Sequence, residues 1–86
     1  MLNIDHIFNS GMRIKTVKLD FNTLAVQIEV NYGFDAEEMF WGIIKEDSFL
    51  AFFAYLTLSP KKETVEELWD TYFLNRVYPY GKFEDD

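Results

Sequence analysis

The sequence predicts a small α+β domain: a short N-terminal helix, an antiparallel β-hairpin, then two or three C-terminal helices packed on one face of the sheet. Three observations carry that expectation. Eighty-six residues with no internal repeat, four Gly and two Pro make one tightly joined domain spanning 1–86. A chain of this size buries roughly 60–65% of the surface it exposes when unfolded. The stretch "LAVQIEVNY" alternates apolar and polar residues, the period of a half-buried strand. Beyond residue 34 the apolar residues recur at helical spacing.

The elements follow in order. Residues 3–10 read as a helix capped by Asn3, with Ile4, Ile7 and Phe8 facing inward and Gly11 at its C-terminal end. "MRIKTVKLDF" is rich in β-formers, but its apolar alternation slips between Ile14 and Val17, which predicts a bulge. Phe21-Asn22-Thr23 is the expected turn. Leu24, Val26, Ile28, Val30 and Tyr32 then share one strand face.

"DAEEMFWGIIKE" carries two opposed signals. Asp35 and Glu38 form a capping-box pattern, and Ala36, Met39, Phe40, Ile43 and Ile44 fall at helical spacing. Phe, Trp and two Ile favour a strand, and Gly42 costs a helix about 1 kcal/mol. The reading is a helix over 36–46, with a third strand as the alternative. "SFLAFFAYLTLS" is the next helix, capped by Ser48 or Asp47 and stopped by Pro60. A last helix runs from Val65 to Val77, with Thr64 and Glu67 as a second capping box and Val65, Leu68, Trp69, Tyr72 and Phe73 as its apolar stripe. Residues 79–86 read as a flexible acidic tail.

Composition excludes several chemistries. With no cysteine and one histidine, His6, the usual structural zinc sites and disulfide staples are ruled out. Ser10, Ser48 and Ser59 sit in no nucleophile-elbow context, and four scattered glycines make no phosphate loop. The charge-free run Ser48–Pro60 is thirteen residues, short of the about 20 that a membrane span needs. No basic start or apolar leader opens the chain, so a soluble cytoplasmic protein is expected. No enzyme, cofactor or metal is expected.

Formal net charge is −7. Residues 1–34 hold three acids and three bases, whereas residues 35–86 hold twelve acids and five bases. Such a field repels nucleic acid and anionic membranes and attracts basic protein surfaces.

Two surfaces follow from this pattern. The first is acidic: Glu63, Glu66, Glu67 and Asp70 at i, i+3, i+4, i+7 on one helix face, with Asp35, Glu37 and Glu38 at another helix start. Capping, the helix dipole and the charged outer face that any soluble helix shows account for such acids; a row of phosphate-mimicking charges is the functional alternative. The second is aromatic. Phe49, Phe52, Phe53 and Leu56 form the core face of the helix 48–58, leaving Ala51, Ala54, Tyr55 and Leu58 opposite. That opposite face is covered if the helix is central, or meets another chain if it is not. Trp41, Tyr78 and Tyr80 are further aromatic anchors.

In size, acidity and lack of catalytic residues the chain is similar in type to the small inhibitors that phages and mobile elements encode. The expectation is a non-enzymatic binding protein that occupies the basic, nucleic-acid-binding surface of a partner protein. The alternative is a structural or assembly protein that docks or forms a homodimer through its aromatic helix.

Overall fold

The strand alternation that runs through Leu24–Ile28 sets the layout of the whole molecule. The computed structural model describes residues 3–30 and 39–77. Five strands, β1 (Asp5–Ile7), β2 (Arg13–Lys18), β3 (Thr23–Glu29), β4 (Met39–Lys45) and β5 (Phe73–Val77), pair antiparallel in sequence order. Two helices, α1 (Glu46–Leu58) and α2 (Lys62–Tyr72), are inserted between β4 and β5. They form an αα-hairpin that covers one sheet face. Leu24, Val26 and Ile28 of β3 are fully buried beneath it, with Phe40 and Ile44 of β4, Phe49, Phe52 and Leu56 of α1, and Val65 and Trp69 of α2.

This architecture corrects the predicted one. The class is α+β, but among the described residues there is no N-terminal helix, and the sheet has five strands rather than two or three. The segment 3–10 contributes β1. Its place is fixed by the Ile4 amide, which donates to Thr16 Oγ1 at 2.9 Å, and by the Thr16 amide, which donates to the Ile4 carbonyl at 2.9 Å. A helix of two turns bears the full cost of nucleation with few bonds to offset it; an edge strand takes its bonds from β2. Gly11 does adopt a positive φ of 94°, but in the tight turn from β1 to β2, where its amide donates to the Phe8 carbonyl.

No bulge interrupts β2. Its register with β3 is unbroken from Arg13↔Glu29 to Lys18↔Leu24. The apparent slip arises because Thr16 takes the inward position, buried with its hydroxyl satisfied by Ile4, while Val17 points outward and is exposed. The chain turns between Lys18 and Thr23, with Thr23 already in β3. Asp20 Oδ1 builds this turn by accepting from the Asn22 and Thr23 amides and the Thr23 hydroxyl, at 2.8 to 2.9 Å.

The helix expected over 36–46 is overturned from Met39 onward, where β4 pairs with the whole of β3 from Thr23↔Lys45 to Glu29↔Met39. Gly42 explains the choice. A Cβ on Gly42 would lie 2.5 Å from the Trp69 ring and 2.7 Å from the Asn75 carbonyl oxygen. Glycine here lets the α2 indole lie directly on the sheet backbone.

The last helix also ends earlier than its apolar stripe suggests. α2 stops at Tyr72 and residues 73–77 form β5. Trp69 and Phe73, four apart, still stack at 3.8 Å with a 2° interplanar angle. The stripe therefore continues in space although the helix does not. The Trp69 indole N–H donates to the Asn75 carbonyl at 3.2 Å, and Asn75 Oδ1 accepts from the Ile43 amide at 2.9 Å beside a register shift between β4 and β5. The expected tail 79–86 lies outside the described residues.

Candidate protein-binding surface

Apart from Asp47, which is exposed on α1, the acids of the described residues fall into two groups. On the sheet, in its β2–β3 turn and at the first residue of α1 they are committed to the fold. Asp5 takes a bidentate grip from Arg13, Nε to Oδ1 at 2.9 Å and Nη2 to Oδ2 at 2.8 Å. The Arg13 guanidinium holds the Asp5 carboxyl below the usual carboxylate range. Glu29 is buried directly opposite Arg13 in the β2–β3 register. Asp20 is held low by the Asn22 amide, then by the Thr23 hydroxyl. Glu46, the first residue of α1, is paired with Lys18, whose ammonium also donates to the Phe21 carbonyl at 3.1 Å.

On α2 the pattern reverses. Glu63, Glu67 and Asp70 are exposed and Glu66 is half-buried. None makes an ion pair or a side-chain hydrogen bond among the described residues. The predicted capping roles are absent too. α2 begins at Lys62, and its N-cap, Lys61, makes no side-chain cap bond. Thr64 is therefore the third helical residue, and the Thr64–Glu67 box does not form. The Ser48 or Asp47 cap of α1 is likewise replaced, because α1 begins at Glu46 with Lys45 as its N-cap. Glu63 lies in the first turn of α2, where its charge suits the helix dipole. Asp70 lies in the last turn, where no base accompanies it and its charge opposes the dipole.

The aromatic candidates separate. On α1, Phe49, Phe52 and Leu56 are fully buried and Phe53 packs against the core, as the spacing predicts. The opposite side is not covered by the rest of the described chain: α1 is not a central helix. Leu50 and Tyr55 are more than half exposed, and Leu58 is 83% exposed. Trp41 is not on a helix. It alternates with Phe40 and Gly42 on β4, which places it on the sheet face away from α1 and α2, opposite Gln27. Tyr55 and Trp41 thus share no surface. Asp35, Glu37, Glu38, Tyr78 and Tyr80 lie outside the described residues.

What the sequence kept apart, the helical hairpin brings together. The outer side of α1 and the acidic side of α2 flank one open groove of about 380 Å³. Tyr55, Leu58 and Leu68 give it an apolar lining. Glu63, Thr64 and Glu67 form the α2 wall, and Ser59 and Lys61 sit at the interhelical turn. Tyr55 is steadied by Tyr72, ring to ring at 6.2 Å. Glu66 and Asp70 lie farther round α2 and do not line the groove. The sequence signal for the groove was the two helices' facing positions, Tyr55/Leu58 and Thr64/Leu68; it needed the closing angle of the hairpin to be read.

Among the described residues no group of three or more His, Asp or Glu is placed to hold a metal ion. No described helix is long and apolar enough to cross a membrane. No protein-family model, curated protein or solved structure matches the chain.

Proposed function

We propose that this chain is a non-enzymatic acidic binding protein that occupies a basic, nucleic-acid-binding surface of a partner protein. One observation carries the reading: among the described residues the acids of α2 make no ion pair or side-chain hydrogen bond, whereas Asp5, Asp20 and Glu46 do. Four acids at i, i+3, i+4, i+7 repel one another and destabilise the helix by a few tenths of a kcal/mol per like-charged pair. A row that lowers stability and caps nothing is accounted for by an external cation. Spaced charges along one rod present a basic groove with a series of negative sites, as a nucleic-acid backbone does.

The test starts with affinity capture on the intact chain from extract of its native host, followed by binding measurements on the recovered partner. The triple reversal Glu63→Lys, Glu66→Lys and Glu67→Lys weakens binding and flattens its salt dependence, and nucleic acid competes with the chain for the partner. Unchanged affinity of the reversed variant, or simultaneous binding of nucleic acid and the chain, overturns the reading.

A second reading has its own observation. The exposed apolar side of α1, with Leu50, Tyr55 and Leu58, suits self-association. Sedimentation across a salt series separates the two. A salt-insensitive dimer that Leu58→Ser dissolves assigns the surface to assembly, whereas a strict monomer assigns it to a different protein.

A further inference from the structure

We infer that the groove between α1 and α2 is a socket for one Lys or Arg side chain of a basic protein segment. The inference rests on the proposed function and names how that surface recognises its partner. The groove has two chemistries side by side. Its lining, Tyr55, Leu58 and Leu68, suits a hydrocarbon stem, and its α2 wall carries two carboxylates, Glu63 and Glu67, one helical turn apart. Long cationic side chains have this division: a methylene stem that packs on apolar surface and a charged head that seeks water or a carboxylate.

Charge complementarity selects the occupant. An acidic or neutral apolar segment would leave Glu63 and Glu67 beside uncharged atoms; a cation is attracted by both. The Tyr55 ring adds a face on which a guanidinium or ammonium can rest. Among the described residues Lys61 is the cation lining the groove, at the Ser59 end. Its repulsion sets the direction, with the incoming head toward Glu67 and the stem passing Leu58. Glu66 and Asp70 lie outside the socket and act on the partner only through the wider field.

The test uses the full chain and N-acetylated, amidated hexalysine, read by NMR titration at low and at moderate salt. Two double variants remove the same charge: Glu63→Gln/Glu67→Gln at the groove, and Glu66→Gln/Asp70→Asn away from it. Expected are shifts centred on Leu58, Ser59, Thr64 and Leu68, with an affinity loss of about tenfold for the groove pair and about twofold for the other. Leu58→Ser costs a further loss of about threefold that does not depend on salt, since it removes stem contact rather than charge. Equal losses for the two double variants overturn the socket and leave the acidic-face reading standing. Failure of hexalysine to bind at low salt overturns both. Glu63, Glu67 and Leu58 are exposed, so these variants keep the fold, and a thermal melt of each verifies it.

Discussion

Strand β2 and helix α2 use charge in opposite ways. On β2, Arg13 and Lys18 each meet a specific acid, Asp5 and Glu46, and those contacts tie elements together: β1 to β2, and the end of β2 to the start of α1. On α2, four acids follow one another along a helix that opens on Lys61 and Lys62, and none of the four makes an ion pair or a side-chain hydrogen bond among the described residues. The two regions also differ in what lies beneath the charges. Arg13 is nearly buried on the sheet, where an unpartnered charge would be expensive. Of the α2 acids, Glu63, Glu67 and Asp70 stand at the surface and Glu66 is half-buried; exposed charges are cheap to keep and cheap to lose. The comparison teaches that counting acids says little about role. The informative quantity is whether each acid has an internal partner, and among the described residues the α2 acids have none.

The largest effect expected belongs to the joint between these regions. Trp69 is 1% exposed, stacks on Phe73, touches Phe40 at 5.5 Å between ring centroids and lies against Gly42. Trp69→Ala therefore costs about 3–5 kcal/mol in urea unfolding. Gly42→Ala is the sharper probe of the joint, since its methyl would meet both the indole and the Asn75 backbone. It destabilises by about 1–3 kcal/mol through overpacking. Wild-type stability in Gly42→Ala would show that α2 does not press on β4, and the joint would be lost from the account.

The next effect falls on the sheet side. Asp5→Asn breaks the bidentate pair and lowers stability at pH 7 by about 1 kcal/mol, the surface-exposed half of the pair limiting the figure. The same variant has a pH signature. The Asp5 carboxyl titrates lower in the folded protein than in the unfolded chain, so its contribution is fully present above the unfolded value of about 3.9. It is lost as pH falls through the folded value. Wild-type stability drops as pH goes below about 4, and in Asp5→Asn that drop is shallower. Identical acid limbs in the two proteins would remove Asp5 from the committed group.

How much of this was legible beforehand divides along the same line. The β2–β3 pairing and the core face of α1 were readable because period and burial agree there: Leu24, Val26 and Ile28 alternate cleanly, and Phe49, Phe52 and Leu56 keep helical spacing. The helix expected at 36–46 failed because Met39, Phe40, Ile43 and Ile44 keep helical spacing although in β4 they divide between the two sheet faces, Phe40 and Ile44 toward the helices and Met39 and Ile43 on the other. Gly42 was the better guide, since glycine within an apolar strand marks a close backbone approach, and here that neighbour is Trp69. β5 was hidden because Phe73 stays in register with Trp69 in space after the helix has ended. β1 was hidden because three residues give no period at all; only its partners on β2 define it. The α2 acids were legible as a cluster, but their lack of internal partners was not, because capping is decided by where the helix starts. A start at Lys62 rather than after Thr64 removes the structural role the sequence had offered Glu67.

The smallest expected stability effect is the one on which the comparison turns. Neutralising all four α2 acids together, Glu63→Gln, Glu66→Gln, Glu67→Gln and Asp70→Asn, removes two like-charged pairs at i, i+4 and two at i, i+3 and breaks no hydrogen bond or ion pair among the described residues. Stability at neutral pH then stays level or rises by a few tenths of a kcal/mol for each pair relieved. The gain shrinks as salt is added, because screening already weakens exposed repulsion. Two opposite trends are thus expected from one kind of change: removing a sheet carboxylate loosens the fold, and removing four helix carboxylates leaves it equal or firmer. A clear loss of stability in the neutralised variant would mean that the α2 acids hold the fold after all, and the contrast between the two regions would disappear with the reason for assigning α2 to a partner. A level or firmer fold combined with lost partner binding separates the two uses of charge: the sheet acids stabilise this chain, and the α2 acids are kept for another.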